Sequence, residues 1–248
     1  MKILIVGDSF VAGSGAEGLS YAFQLQYKKT IDVTVLDFAG GGNDVIAHHV
    51  LKNFSDYNAI IINWTSSCRY DVCYSDSKKI KIHKGRSCQH NEGEKLWIHS
   101  GGWRGSWQID STKPLFHTMY KNHFDIEDSW RRTLTHMLTI DVLLKNKPHL
   151  HLFSFNTFEC VSFGDYEKNL EKEYNKSKWG KYKDQNKWLD LIDWSNVWFH
   201  INQKSSTGGI IDWCHDNTED IGHHPSKESH TKFLNDVVEP WINNINEK

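Results

Sequence analysis

Three short apolar runs, spaced by helix-length segments, limit the fold more than any other feature of the chain. Residues 31–36 are a β-branched run and residues 58–63 an apolar strand; residues 2–6 are continuous in their hydrophobicity. That is the pattern of strands buried on both faces. Residues 16–28 and 45–53 between them fit helices. A Gly-rich turn at 40–42 precedes the second helix, with Asn43 or Asp44 as its cap. Strand, helix, strand, helix, strand is the grammar of a parallel sheet with helices on both faces. The same reading predicts a fourth strand at 150–155 and a short fifth at 197–201. It predicts helices at 127–144 and 227–243, and a charged helical stretch over 165–194.

The grammar breaks between residues 68 and 125. That stretch is polar, dotted with glycine, and rich in His and Trp. A structureless loop of such length is unusual inside a compact domain, so the segment reads as an inserted subdomain or lid. The chain is then one α/β domain over residues 1–248, interrupted once. At 248 residues it can bury a core without metal or disulfide staples. A net charge of −2 gives no basic footprint for nucleic acid. No apolar run approaches the roughly 20 residues needed to span a bilayer. Five cysteines, an odd number without CxxC spacing, support neither a zinc ribbon nor a complete disulfide framework within one chain. The first residues lack a signal-peptide pattern, so the expected location is the cytoplasm, or a virion assembled there.

Two motifs point to cofactors and both read better as loops. Residues 13–18 fit GxGxxG, and Asp37 stands where a dinucleotide fold places its ribose-binding acid. The first glycine, however, comes about two helical turns too late after the opening strand. Asp212, His215 and Asp216, with His223, are metal-ligand types in an ordinary polar stretch. Neither a cofactor nor a metal is expected.

Ligands of open parallel sheets collect at the carboxyl ends of the strands. Gly7-Asp8-Ser9-Phe10 follows the first strand here, and Gly40-Gly41-Gly42-Asn43 the second. Asn63-Trp64-Thr65-Ser66 closes the third, and residues 220–226 precede the last helix. A serine, a set of donors and an Asp/His pair on one rim are the parts for nucleophilic acyl transfer.

At these residues the chain resembles the SGNH (GDSL-type) esterase and lipase superfamily. Gly7-Asp8-Ser9-Phe10 is similar to its first block, Gly-Asp-Ser-Leu. Asp220 with His224-Pro225 is similar to its last, Asp-x-x-His-Pro, and residues 226–230 continue in the family's manner. Gly40 to Gly42 stand for the middle glycine block. There are two departures. Asp220 lies four residues before His224 and three before His223; His224 is favoured because it directly precedes the proline. The third block, usually Gly-x-Asn-Asp, aligns with Asn63-Trp64-Thr65-Ser66, which puts Thr65 at the asparagine position.

The resemblance implies a three-layer α/β/α sandwich of the flavodoxin-like SGNH type, with about five parallel strands and the insertion after the third. It implies Ser9 as nucleophile, His224 as base and Asp220 as the acid that orients the base. The implied oxyanion hole is the N–H of Ser9, the N–H of Gly40 (or Gly41), and the side chain of Asn63 or Thr65. Asp8, Trp64 and Trp103 are the expected substrate contacts. The activity implied is hydrolysis of carboxylic esters through an acyl-enzyme.

Trp97, Trp103 and Trp107 form either a stacking platform for sugar rings or a small core of the insert. A hydrophilic insert favours an acetylated carbohydrate or a small soluble ester over a long-chain lipid. The alternative is a non-catalytic SGNH-like protein that binds carbohydrate or serves a structural role, as in a virion.

Overall fold

The structure, a computed structural model, describes residues 1–29, 31–67, 69–74, 89–92, 95–99, 118, 126–154, 191–200, 209–219 and 224–247. Four of the expected strands form one parallel sheet. They are β1 (Lys2–Gly7), β2 (Asp32–Asp37), β3 (Ala59–Trp64) and β7 (His149–Phe153), in the order β2-β1-β3-β7. β1 sits centrally, with Gly7 opposite both Asp37 and Asn63. The expected fifth strand is reduced to a single parallel bridge between Val197 and His151.

Side chains of the continuous apolar runs alternate between two cores, as strand geometry requires. Leu4, Val6, Ile60, Ile62 and Phe153 pack beneath α2 (Asn43–Asn53) and α3 (Ile126–Leu143), through Val45, Ile46, Leu134, Met137 and Ile140. On the other face Ile3, Ile5, Ile61, Leu150 and Leu152 meet α1 (Tyr21–Lys28), α4 (Ile210–Asn217) and the C-terminal helix. Full burial of such side chains is worth about 1.5–3 kcal/mol each, and these two cores fix which rim the strand ends share.

The helices start and stop for local reasons. Ser20 caps α1, accepting from Phe23 N–H, so the helix begins later than residue 16. The intervening residues 8–18 form a run of tight turns, with Gly13, Gly15 and Gly18 all at positive φ. Ser226 caps the C-terminal helix, accepting from Ser229 N–H. This helix comprises α5 (Lys227–Phe233), a wide π turn at Leu234–Val238, and α6 (Glu239–Asn246). Pro240 stands in the first turn of α6. A proline there has no N–H to donate and crowds the preceding turn, which the widened turn accommodates. The sequence reading missed α4, whose Asp212, His215 and Asp216 mimic a polar loop. Ile210, Ile211, Trp213 and Cys214 are its buried face.

The described part of the 68–125 insert is an antiparallel sheet of β4 (Asp71–Tyr74), β5 (Gln89–Glu92) and β6 (Lys95–His99), in the order β4-β6-β5. Trp97 of β6 joins the core beneath α2. The insert and α2 are tied by charge as well. Glu92 receives His48 Nε2 at 3.0 Å, Lys52 Nζ and Trp97 Nε1. The expected helical stretch over 165–194 lies outside the described residues up to 190, and residues 194–196 form a 3-10 turn. No helix among the described residues is long and apolar enough to cross a membrane.

His49 gives this arrangement a pH signature. Its ring stacks on Phe38 with centroids 4.5 Å apart. Burial is the chief cause that lowers its pKa to about 4; Glu92 opposes the shift, while His48, Lys52 and His99 reinforce it. The unfolded chain takes up this proton near 6.5. The stabilisation is therefore complete above pH 6.5 and is lost as pH falls toward 4. Urea titrations of wild type and His49→Gln at pH 7 and 4.5 check this. Wild type is expected to lose on the order of 2 kcal/mol more than the variant between the two pH values.

Candidate active site

The opposite ends of the chain meet at the carboxyl rim of the sheet. His224 Nε2 lies 3.1 Å from Ser9 Oγ, across 215 residues of sequence. That is hydrogen-bond reach for proton transfer. Ser9 leaves β1 in the tight-turn segment and is mostly buried. His224 enters just before Pro225 and the capping Ser226, so the start of the last helix fixes where it stands. Two further groups shape its seat. The Phe10 ring lies 5.5 Å from the His224 ring. Gly15, at φ +85°, lies so close that a Cβ there would be 2.9 Å from the His224 Cβ. The GxGxxG match thus marks a compact turn against which the imidazole rests. Asp220 and His223 lie outside the described residues, as does Trp103.

Asp8 is fully buried and turned inward. Its Oδ1 accepts from Phe10 N–H (3.1 Å), Ser154 Oγ (2.7 Å) and Asn63 Nδ2 (3.2 Å). Arg69 Nη1 lies 3.4 Å from Oδ2. Asn63 also donates to Ser154 Oγ and accepts from Tyr21 Oη at 3.4 Å. Burial, and then the charge of Asp8, raise the Tyr21 pKa, so the phenol stays a neutral donor.

These bonds correct several expectations. Asp8 is spent on internal partners and Trp64 is fully buried, so neither faces a substrate. The Trp64 indole donates to His151 Nδ1 at 2.8 Å. Asn63 commits its amide hydrogens to Asp8 and Ser154 and has none left for an oxyanion. Thr65 is buried as well; the bond from its main-chain N–H to Asn43 Oδ1, at 2.9 Å, does not engage the side-chain hydroxyl. Trp97 belongs to the core, not to a sugar platform.

The main-chain donors fare better. Gly41 N–H donates to Phe38 O at 2.7 Å and Gly42 N–H to Asp71 Oδ1 at 2.8 Å. Among the described residues, the N–H groups of Ser9 and Gly40 have no acceptor. The β1–β2 register sets Gly7 opposite Asp37, and Phe38 N–H donates to Gly7 O at 2.8 Å. Asp8-Ser9 and the chain entering Gly40 therefore run side by side. Of the two glycines considered from sequence, Gly40 is the one with a donor to offer.

Sequence reasoning missed Ser154, Tyr21, Arg69 and Gly15. Ser154 had a legible signal, since it directly follows a strand at the same rim. Gly15 lies inside the GxGxxG match, which does not name its neighbour, and a lone Arg or Tyr is ambiguous without its neighbours in space.

Two described clusters carry metal-ligand groups, and internal hydrogen bonds already close both. Lys52 and Trp97 occupy the Glu92 carboxylate beside His48 and His49. In the other, Asp141 Oδ1 lies 2.9 Å from His149 Nε2 and 2.8 Å from His151 Nε2. The Trp64 N–H donates to His151 Nδ1, so that ring carries its proton on Nε2, where a metal would need a lone pair. Burial alone would raise the Asp141 pKa; hydrogen bonds from His149 and His151 outweigh it and hold the carboxyl well below its usual range.

No protein-family model matches this chain, and no curated protein or solved structure does.

Gly15→Ala tests the seat of the imidazole. A methyl at this φ and clearance is strained and pushes His224 from Ser9. The expected result is a loss of about tenfold or more in Ser9 reactivity toward a fluorophosphonate, with the far-ultraviolet spectrum of the fold retained.

Proposed function

We propose that this protein is a serine hydrolase of carboxylic esters, of the SGNH type that its first and last motifs resemble. The observation that carries the reading is the 3.1 Å approach of His224 Nε2 to Ser9 Oγ. In this reading the fold is the three-layer flavodoxin-like sandwich. The parallel order β2-β1-β3-β7 and the two cores on opposite faces of the sheet support it.

The steps use Ser9, His224 and the main-chain donors, with Asp220 in the role that the resemblance implies. His224 takes the Ser9 proton as Oγ attacks the ester carbonyl, and Asp220 orients the imidazole. The carbonyl oxygen gains charge and is received by the N–H groups of Ser9 and Gly40. Collapse of the tetrahedral species expels the alcohol, which takes the proton from His224. Water, activated by the same imidazole, then frees the acid and restores Ser9. An acetylated carbohydrate or small soluble ester remains the proposed substrate class, supported by the hydrophilic composition of the insert.

The commitment of Asn63 to Asp8 favours one competing reading, a non-catalytic SGNH-like binding protein in which this asparagine no longer serves an oxyanion. Fluorophosphonate labelling with peptide mass mapping, together with p-nitrophenyl acetate turnover, separates the two. Labelling at Ser9 is expected, with Ser9→Ala inert and His224→Ala reduced on the order of 10³-fold or more. His223→Ala should retain most activity. Equal turnover by wild type and Ser9→Ala would remove the hydrolase.

A further inference from the structure

Three successive glycines have more backbone freedom than any other tripeptide, yet an oxyanion donor works only if its direction is set before the reaction. Something outside residues 40–42 must therefore hold them, and the insert does so. Asp71, the first residue of β4, accepts from Gly42 N–H at 2.8 Å and from Val45 N–H at 2.9 Å. Arg69 Nη1 donates to Gly41 O at 3.1 Å. The fit is tight, since a Cβ on Gly42 would lie 2.9 Å from Asp71 Oδ2 and 3.0 Å from Arg69 O. Asp71 is itself braced, with His99 Nδ1 of β6 placed 2.8 Å from its Oδ1 and both side chains essentially without solvent exposure.

We infer that Asp71, contributed by the insert, is a positioning residue that sets the Gly40 N–H for an incoming oxyanion, with His99 holding Asp71 in place. Its catalytic half rests on the esterase reading above; its structural half rests on the hydrogen bonds alone. Gly41 and Gly42 are tied down by Phe38 O and Asp71, and Gly40, at φ +80°, is the member of the triplet left to point elsewhere. Burial would favour the neutral acid at Asp71. The His99 ring and the Val45 and Gly42 N–H groups outweigh it and keep the carboxylate ionised. The clasp is thus a buried charge facing three donors, which is stiff as well as tight.

Asp71→Ala and Asp71→Asn in the full chain test this with two independent readouts. The first is amide hydrogen exchange at Gly42 and Val45. It should accelerate by at least about tenfold in Asp71→Ala and by less in Asp71→Asn, which keeps one acceptor. The second is p-nitrophenyl acetate turnover per Ser9 titrated with a fluorophosphonate, which discounts unfolded protein. The kcat per titrated site should fall about 10- to 100-fold while KM changes less than about threefold. Where both variants fold poorly, His99→Gln leaves the carboxylate in place and should give the same pattern in smaller size. Unchanged exchange overturns the structural half. Faster exchange with unchanged kcat per site reduces Asp71 to a helix cap and overturns the catalytic half. A wild type that neither labels nor turns over fails at an earlier step; it removes the esterase reading, and the catalytic half with it, before any variant is compared.

Discussion

A buried carboxylate organises the rim. Asp8 is out of water entirely, and an ionised acid there is tolerable only if its oxygens are met by donors. The donors come from separate parts of the chain: Phe10 from the turn after β1, Asn63 from β3, Ser154 from the end of β7, with Arg69 of the insert alongside. Satisfying that one charge draws three strand ends to a point. The next residue, Ser9, is carried into position by the same bonds. The arrangement also commits the Asn63 amide hydrogens to internal partners.

Much of the sheet was legible because its signal is local. Continuous apolar runs can be buried only between two layers, and both cores draw on the alternate faces of those runs. The meeting of Ser9 with His224 was legible for a different reason: motifs at the two ends resembled one family, and the parallel order brings both to one rim. What stayed hidden depends on contacts between distant residues. Asp71 looks like any acid in a polar stretch until Gly42, Val45 and His99 surround it. β4, β5 and β6 escaped notice because strands of four or five residues, set among polar neighbours, sustain no period. The expected fifth strand at 197–201 forms one bridge among its described residues.

The insert is joined to the body by more than its two chain connections. Trp97 enters the core under α2, Glu92 is matched by His48 and Lys52, and Asp71 reaches the first turn of α2. These three ties meet at α2, whose N-terminus adjoins the glycine turn, while Arg69 reaches Asp8 and Tyr70 packs under Arg132 of α3. A perturbation of the insert is therefore felt where α2 begins, and the polar composition that made the segment look peripheral is partly the chemistry of its attachment.

The separation of Ser9 from His224 by 215 positions has a consequence for biosynthesis. Translation delivers the hydroxyl 215 residues ahead of the imidazole. The bond between them cannot form in the nascent polypeptide until the segment that carries His224 has left the ribosome and docked on the sheet.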